Sequence, residues 1–363
     1  MKRTVQRPRV FYRRELEANP LVVAGREIGP GATGTLTSNP AATGKLSRWI
    51  DLQTGTLGIR YRFIENSQGV TVAKQMQSFA QFKARFKFDK AGNYGINAGV
   101  FTGNSFTAGF NDTGVGTGDA ITNLYLKQLY LSAKPITGVE AQFGGLYFNR
   151  GESTEITTYD NDGYLVGERV ILQLPRKLFF DEISATYAFL GDLSTPNLNK
   201  RWHRLGESNY HQFLVSKKIG ERAAVSSDYT FLLGTDTLRE AVRVNTPEFK
   251  AIDFFRLELY QRTSVNPQAG FAAYGEKSFM RKRMVLGGGY AHIDRNYGGL
   301  NADRFNRGRR FFFNASYNLR PEFTISTFYT RAFNNDFAIS NRTRFEMLFN
   351  FNLLKSLQKA RLF

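Results

Sequence analysis

Four carboxylates, Glu152, Glu155, Asp160 and Asp162, share the segment NRGESTEITTYDNDGYLVG from Asn149 to Gly167, with Arg150 beside them. The chain around them is basic, with 49 Lys and Arg against 31 Asp and Glu and a net charge of +18. Basic side chains also recur at every second position near the start, at Arg60 and Arg62 and again at Lys83, Arg85 and Lys87. Carboxylates set opposite cationic groups across a narrow wet gap make a transverse field, which orients polar solutes and disfavours apolar ones. An excess of positive charge raises the local concentration of anions. Groups arranged in that way sort solutes by size and charge without making a bond.

Other chemistries have less to work with. Asp160, Asp162 and Gly163 have the spacing of an EF-hand calcium loop, but Thr158 stands at its first ligand position and Arg169 at its last. A Ser and His hydrolase could use His203, Ser208, Asn209 and His211, which crowd into HRLGESNYH. Nucleophile and base meet through folding and not through closeness in sequence, so the null case is an ordinary polar loop. His292 falls at the end of an apolar alternation and reads as an interfacial residue. Gly287, Gly288 and Gly289 are not followed by GK[ST], so they read as a close approach or bend within a strand and not as a phosphate loop. With three His and no Cys, neither a transition-metal centre nor any other cofactor site is expected.

The elements that would hold the charged groups are strands. In TRFEMLFNFNL every second residue is apolar, namely Phe345, Met347, Phe349, Phe351 and Leu353, while Glu346, Asn350 and Asn352 alternate with them. Only a strand sorts a period of two into faces. Leu57, Ile59, Tyr61 and Phe63 alternate with Gly58, Arg60 and Arg62 in the same way. So do Phe82, Ala84, Phe86 and Phe88 with Gln81, Lys83, Arg85 and Lys87. The pattern returns with Val139, Ala141, Phe143 and Tyr147 against Glu140 and Gln142, and with Phe311, Phe313, Ala315 and Tyr317 against Asn314, Ser316 and Asn318. An unbroken aromatic row suits lipid tails and a basic row suits water, and a closed barrel offers both.

Sixteen strands are predicted from residue 56 to 353, or fourteen if 168–174 and 237–244 do not form. The connections alternate between short turns, such as KPIT, KKIG and LRPE, and longer stretches rich in Gly, Asn and Asp, such as TGNSFTAGFNDTGVGTGD. A meander crossing a membrane produces that alternation, with short periplasmic turns and long extracellular loops. The fold class is therefore all-β: a single transmembrane antiparallel barrel over 51–363, preceded by a flexible extension over 1–50 rich in Arg, Gly, Pro and Ala. One helical turn is expected over 13–18.

Composition agrees with this reading. The 33 Phe and 17 Tyr with a mean hydropathy of −0.36 exclude a bundle of apolar helices, and no run approaches the roughly 18 apolar residues that a spanning helix needs. A propeller would repeat a motif every 40 to 50 residues or so, and none does. The basic balance admits a soluble nucleic-acid-binding protein, but bases spread over strand faces fit an anion-attracting lumen better, so no nucleic-acid partner is expected. MKRTVQRPRVFYRRELEANP lacks the apolar core of a signal peptide. A bacterial outer-membrane location then requires that a leader was removed, and a mitochondrial barrel is the lesser alternative.

Sixteen strands, alternating loops, a long acidic loop after the fifth strand and a Phe-rich last strand together resemble the bacterial outer-membrane porins. The basic lumen resembles the phosphate-selective porins among them. The resemblance implies that the acidic loop enters and narrows the barrel, and that Arg150, Glu152, Glu155, Asp160 and Asp162 face a basic wall of Arg60, Arg62, Lys83, Arg85 and Lys87. It implies a homotrimer in outer-membrane lipid that passes small anionic or polar solutes. The porin pattern ends on a Phe of the last strand, whereas here KSLQKARLF follows Leu353.

Overall fold

The computed structural model describes residues 48–103, 108–158, 164–173, 179–191, 197–246, 248–263, 268–294, 303–305, 308–333 and 341–360. The helical turn expected over 13–18 and nearly all of the 1–50 extension lie outside these residues, as do Asp160, Asp162 and Phe363.

The strands are β1 (Ile50–Glu65), β2 (Thr71–Lys87), β3 (Tyr94–Thr102), β4 (Asn111–Gly116), β5 (Leu124–Ile136), β6 (Val139–Tyr147), β7 (Tyr164–Leu172), β8 (Glu182–Phe189) and β9 (Tyr210–Ile219). They continue with β10 (Ala223–Leu232), β11 (Thr235–Asn245), β12 (Phe254–Arg262), β13 (Gln268–Phe279), β14 (Met284–Ile293), β15 (Gly308–Arg320), β16 (Phe323–Ala332) and β17 (Thr343–Asn352). Leaving β4 aside, each strand pairs antiparallel with its sequence neighbours, and β17 pairs with β1 from Thr56↔Asn352 to Glu65↔Thr343. That last pairing closes sixteen strands into a barrel with no free edge, the condition for strands to cross hydrocarbon. Among the described residues no helix is long and apolar enough to cross a membrane.

The alternation sets the faces as expected. Ile59, Phe86 and Phe143 are 49%, 43% and 45% exposed on the outside, while Arg60, Arg85 and Gln142, one position along, are at most 4% exposed on the inside. Both weakly patterned strands form, as β7 and β11, so the wall has sixteen strands and not fourteen.

Three features differ from expectation. β4 lies in the long connection after β3 and pairs with the upper part of β2 through Gln75↔Gly116 and Gln77↔Asp112. Its sequence, NDTGVG, carries no alternation to announce a strand. β1 and β2 begin earlier than the expected 56 and 77, at Ile50 and Thr71, because polar residues such as Asp51 and Gln75 continue the inward row. Finally, Leu353 does not end the last strand. Asn352 caps a short helix, α1 (Leu353–Lys359), by accepting a hydrogen bond from Lys355 N at 3.0 Å, which turns the chain off the wall.

Both apolar and charged groups are buried inside the barrel. One buried cluster joins Ile156, Phe305, Phe312, Phe328 and Tyr274. Arg169, Arg239, Arg256, Arg310 and Arg344 are all less than 2% exposed.

Candidate functional site

The site is built on the segment that leaves β6. Every residue from Asn149 to Thr158 is buried, and successive residues bond to inward side chains along the wall. Asn149 Nδ2 donates to Ser184 Oγ on β8 at 2.9 Å, and its carbonyl accepts from Gln212 Nε2 on β9 at 2.7 Å. Glu152 N donates to Ser226 Oγ on β10 at 2.8 Å. Thr154 N and Thr157 Oγ1 both donate to Glu258 Oε2 on β12, at 3.0 and 2.6 Å, and Thr157 O accepts from Arg239 Nε on β11 at 3.0 Å. Gly151 makes the crossing possible: its φ is +56°, and a Cβ there would lie 2.7 Å from Ser226.

The carboxylates of this segment have arginine partners. Glu152 Oε2 lies 3.1 Å from Arg243 Nε on β11 and 3.5 Å from Arg256 Nη2 on β12. Glu155 Oε1 lies 3.4 Å from Arg304 Nη1, in the connection between β14 and β15. Arg304 also reaches Glu346 Oε2 on β17 through Nη2 at 2.8 Å, and Glu346 Oε1 lies 2.9 Å from Arg60 Nη1 and 2.6 Å from Arg344 Nη2. One buried carboxylate thus serves three guanidinium groups, leaving the cluster with excess positive charge.

The early-strand bases line the inward rows of β1 and β2. Arg60 binds Glu346 and Gln77, with its guanidinium 3.4 Å from the centre of the Phe110 ring. Lys83 lies 5.4 Å from the Phe101 ring centre, Arg85 donates to Gly92 O at 2.8 Å, and Lys87 pairs with Asp51 at 2.9 Å. Arg62 falls on the same inward row, and Arg150 is buried. Glu152 and Glu155 have partners on β11, β12 and the β14–β15 connection, and the backbone of the segment is anchored along β8–β12. Arg239, Arg243, Arg256 and Glu258 escaped sequence reading, although Arg256 and Glu258 alternate with apolar residues in FFRLELY; in LREAVRV the outward Glu240 beside Arg239 breaks the pattern.

Several polar atoms facing the bore have no hydrogen-bond partner among the described residues. They include both carboxylate oxygens of Glu276, the side-chain amide of Asn314 and Arg256 Nε. Gly287 lies between Glu276 and Asn314, and a Cβ there would come within 2.9 Å of both side chains. Such groups are costly against hydrocarbon and suited to water.

The remaining sequence candidates do not assemble. Thr158 Oγ1 donates to Thr154 O, and Arg169 donates to Thr186 Oγ1 and Tyr147 O, so neither end of the EF-hand spacing offers a cation ligand. Ser208 Oγ lies 2.5 Å from His211 Nε2, with the His211 ring stacked between Tyr187 and Phe231. Asn209 is committed to the backbone of Leu190, and His203 sits exposed in a separate 3-10 turn, so neither of these orients the pair. His292 lies on the outward row of β14, its ring centre 6.3 Å from that of Phe271.

Comparison with known proteins follows the geometry. No protein-family model matches the sequence, and no curated protein matches it. Among solved structures, the chain is similar to Salmonella typhi OmpF in complex with daunomycin, at 8% identity and a TM-score of 0.55, over 83% of this chain and 97% of that one. It is similar to two mutants of Rh. blastica porin, each at 12% identity over 84% of this chain and 99% of that one, with TM-scores of 0.51 and 0.50. At these identities the likeness establishes the fold, which is the barrel of the bacterial porins.

Proposed function

We propose that this chain is a channel of the bacterial outer membrane, through which small hydrophilic solutes diffuse passively with a preference for anions. The observation that carries the reading is one closed wall with an aromatic and aliphatic exterior and a charged interior, crossed by the acidic segment at Asn149–Thr158. A wall of that kind has a use only where one face meets lipid and the other meets an aqueous path. The net charge of +18 and the excess of guanidinium over carboxylate around Glu346 support the anion preference. In this reading Arg60, Arg62, Lys83, Arg85 and Lys87 form the cationic wall of the bore. Arg150, Glu152 and Glu155, with Asp160 and Asp162 on the same connection, narrow it. Assembly as a homotrimer is part of the proposal, and sedimentation of the detergent-solubilised protein tests it.

The test of function is a planar-bilayer recording under a salt gradient. The expected result is ion conductance with a reversal potential on the anion side, shifted toward cations in Arg85→Glu; an insulating barrel overturns the reading. A second reading, ester hydrolysis at the outer rim, rests on the Ser208–His211 contact alone. It predicts esterase activity lost in Ser208→Ala, whereas the channel reading predicts no such activity in either protein.

A further inference from the structure

We propose that Arg304 and Phe305 form a second constricting element, a latch that closes the bore from the wall opposite the β6 segment and holds that segment in place. The inference rests on the channel reading and adds to it the residues that set the open cross-section. Two contacts of different chemistry carry it.

The first contact is electrostatic. Arg304 is 2% exposed and bridges two carboxylates that belong to different parts of the barrel: Glu155 on the crossing segment at 3.4 Å, and Glu346 on the wall strand β17 at 2.8 Å. Its own carbonyl accepts from Arg310 Nη1 on β15 at 3.1 Å, so the residue is held from its backbone as well as its side chain. Glu155 is thereby tied to β17 through Arg304. The anchors of Glu152, Thr154 and Thr157 lie on β10, β11 and β12. The segment is therefore held from two sides, by β10–β12 through Glu152, Thr154 and Thr157 and by Arg304 through Glu155.

The second contact is apolar. Phe305 is fully buried and meets Phe312 on β15 and Phe328 on β16 edge-on, with ring centres 5.2 and 5.5 Å apart. Ile156 of the crossing segment belongs to the same buried cluster. An aromatic cluster on the inner wall of a polar bore excludes water from that part of the cross-section, and hydrophobic constrictions gate by dewetting. In this conformation the two elements meet through the Arg304–Glu155 contact and through the buried cluster shared by Phe305 and Ile156. Passage of solute then depends on the latch and the segment parting, and the Arg304–Glu155 contact is the joint between them.

Single-channel recording of the full chain tests this with Arg304→Gln, Phe305→Ala, Glu155→Gln and the conservative Arg304→Lys. Heat-modifiable migration on gels checks that each barrel has folded. Conductance of Arg304→Gln and Phe305→Ala is expected to rise at least about twofold, since flow scales with open cross-section, while Arg304→Lys stays near wild type. Because Arg304 and Glu155 act through one contact, the double variant should conduct no more than the larger single one. A conducting wild type with Arg304→Gln and Phe305→Ala unchanged overturns the latch and leaves the channel reading intact. An insulating wild type overturns the channel reading and with it the latch that rests on it. Should Arg304→Gln fail to fold, Phe305→Ala carries the same decision through the apolar contact.

Discussion

At the scale of single residues, Glu346 is the most consequential group in the bore. Arg60, Arg304 and Arg344 all depend on it, and removing one member of a buried charged set leaves the others uncompensated. Glu346→Gln is therefore expected to destabilise the barrel by about 3–5 kcal/mol, measured as the guanidinium unfolding midpoint in micelles. The same measurement on Gly151→Ala should show a smaller loss, with altered conductance, because Ser226 stands where the new methyl would go. The inward placement of Arg60, Arg62, Lys83, Arg85 and Lys87 was legible from alternation alone, since parity fixes the face of every residue in a strand. Their partners were not legible. Which carboxylate Arg60 meets depends on β17 lying beside β1, a contact spanning nearly the whole chain that no local spacing encodes.

At the scale of elements, the turns on the short-turn side show how local chemistry sets the ends of strands. Asp89 accepts a hydrogen bond from Tyr94 N at 2.8 Å, which holds its carboxyl below the ordinary range. Between β13 and β14 the turn is less comfortable, because Met280, Arg281 and Lys282 all have positive φ, from 50° to 68°. A left-handed conformation costs an ordinary residue about 1–2 kcal/mol, so Arg281→Gly should raise the temperature at which the barrel loses its folded mobility on gels. The helix α1 returns to the β15–β16 turn through Lys359 Nζ, 2.9 Å from Glu322 Oε1, and that hydrogen bond pulls the Glu322 carboxyl below its usual value. A depressed carboxyl stabilises above its unfolded pKa and loses that contribution as pH falls through its folded one. The docking of α1 should therefore hold at neutral pH and weaken below about pH 4, read as faster proteolysis of the C-terminal residues. Strands with aromatic alternation were visible in the sequence, and β7 and β11 were visible only weakly. Both carry a charged residue on the outward row, Glu168 and Glu240, which blurs the pattern.

At the scale of the whole molecule those two glutamates mark where the wall departs from a clean lipid-facing surface. Each sits near the middle of its strand, between cross-strand neighbours such as Phe143 and Tyr187 for Glu168 and Leu259 for Glu240. If that part of the wall meets hydrocarbon, Glu240→Leu should stabilise the barrel in bilayers by roughly 1–2 kcal/mol, less than the cost of Arg or Lys at the same depth. No change on that substitution would place the β10–β12 wall against protein or headgroups instead. The closed meander and the side of the short turns were readable from loop lengths and parity. The buried apolar cluster inside the barrel was not, because Ile156, Phe305 and Phe312 are ordinary apolar residues until the barrel brings them together.

The central claim is that neighbouring side chains of one strand meet different surroundings, lipid outside and the bore inside. The chain has no Cys, so single nitroxide labels can be placed on β17 one residue at a time from position 344 to 351 and their collision with dissolved oxygen measured in bilayers. The account predicts a period of two, with high oxygen accessibility at Phe345, Met347, Phe349 and Phe351 and low accessibility at Arg344, Glu346, Leu348 and Asn350. A flat profile, or one with the even positions facing the lipid, would contradict it.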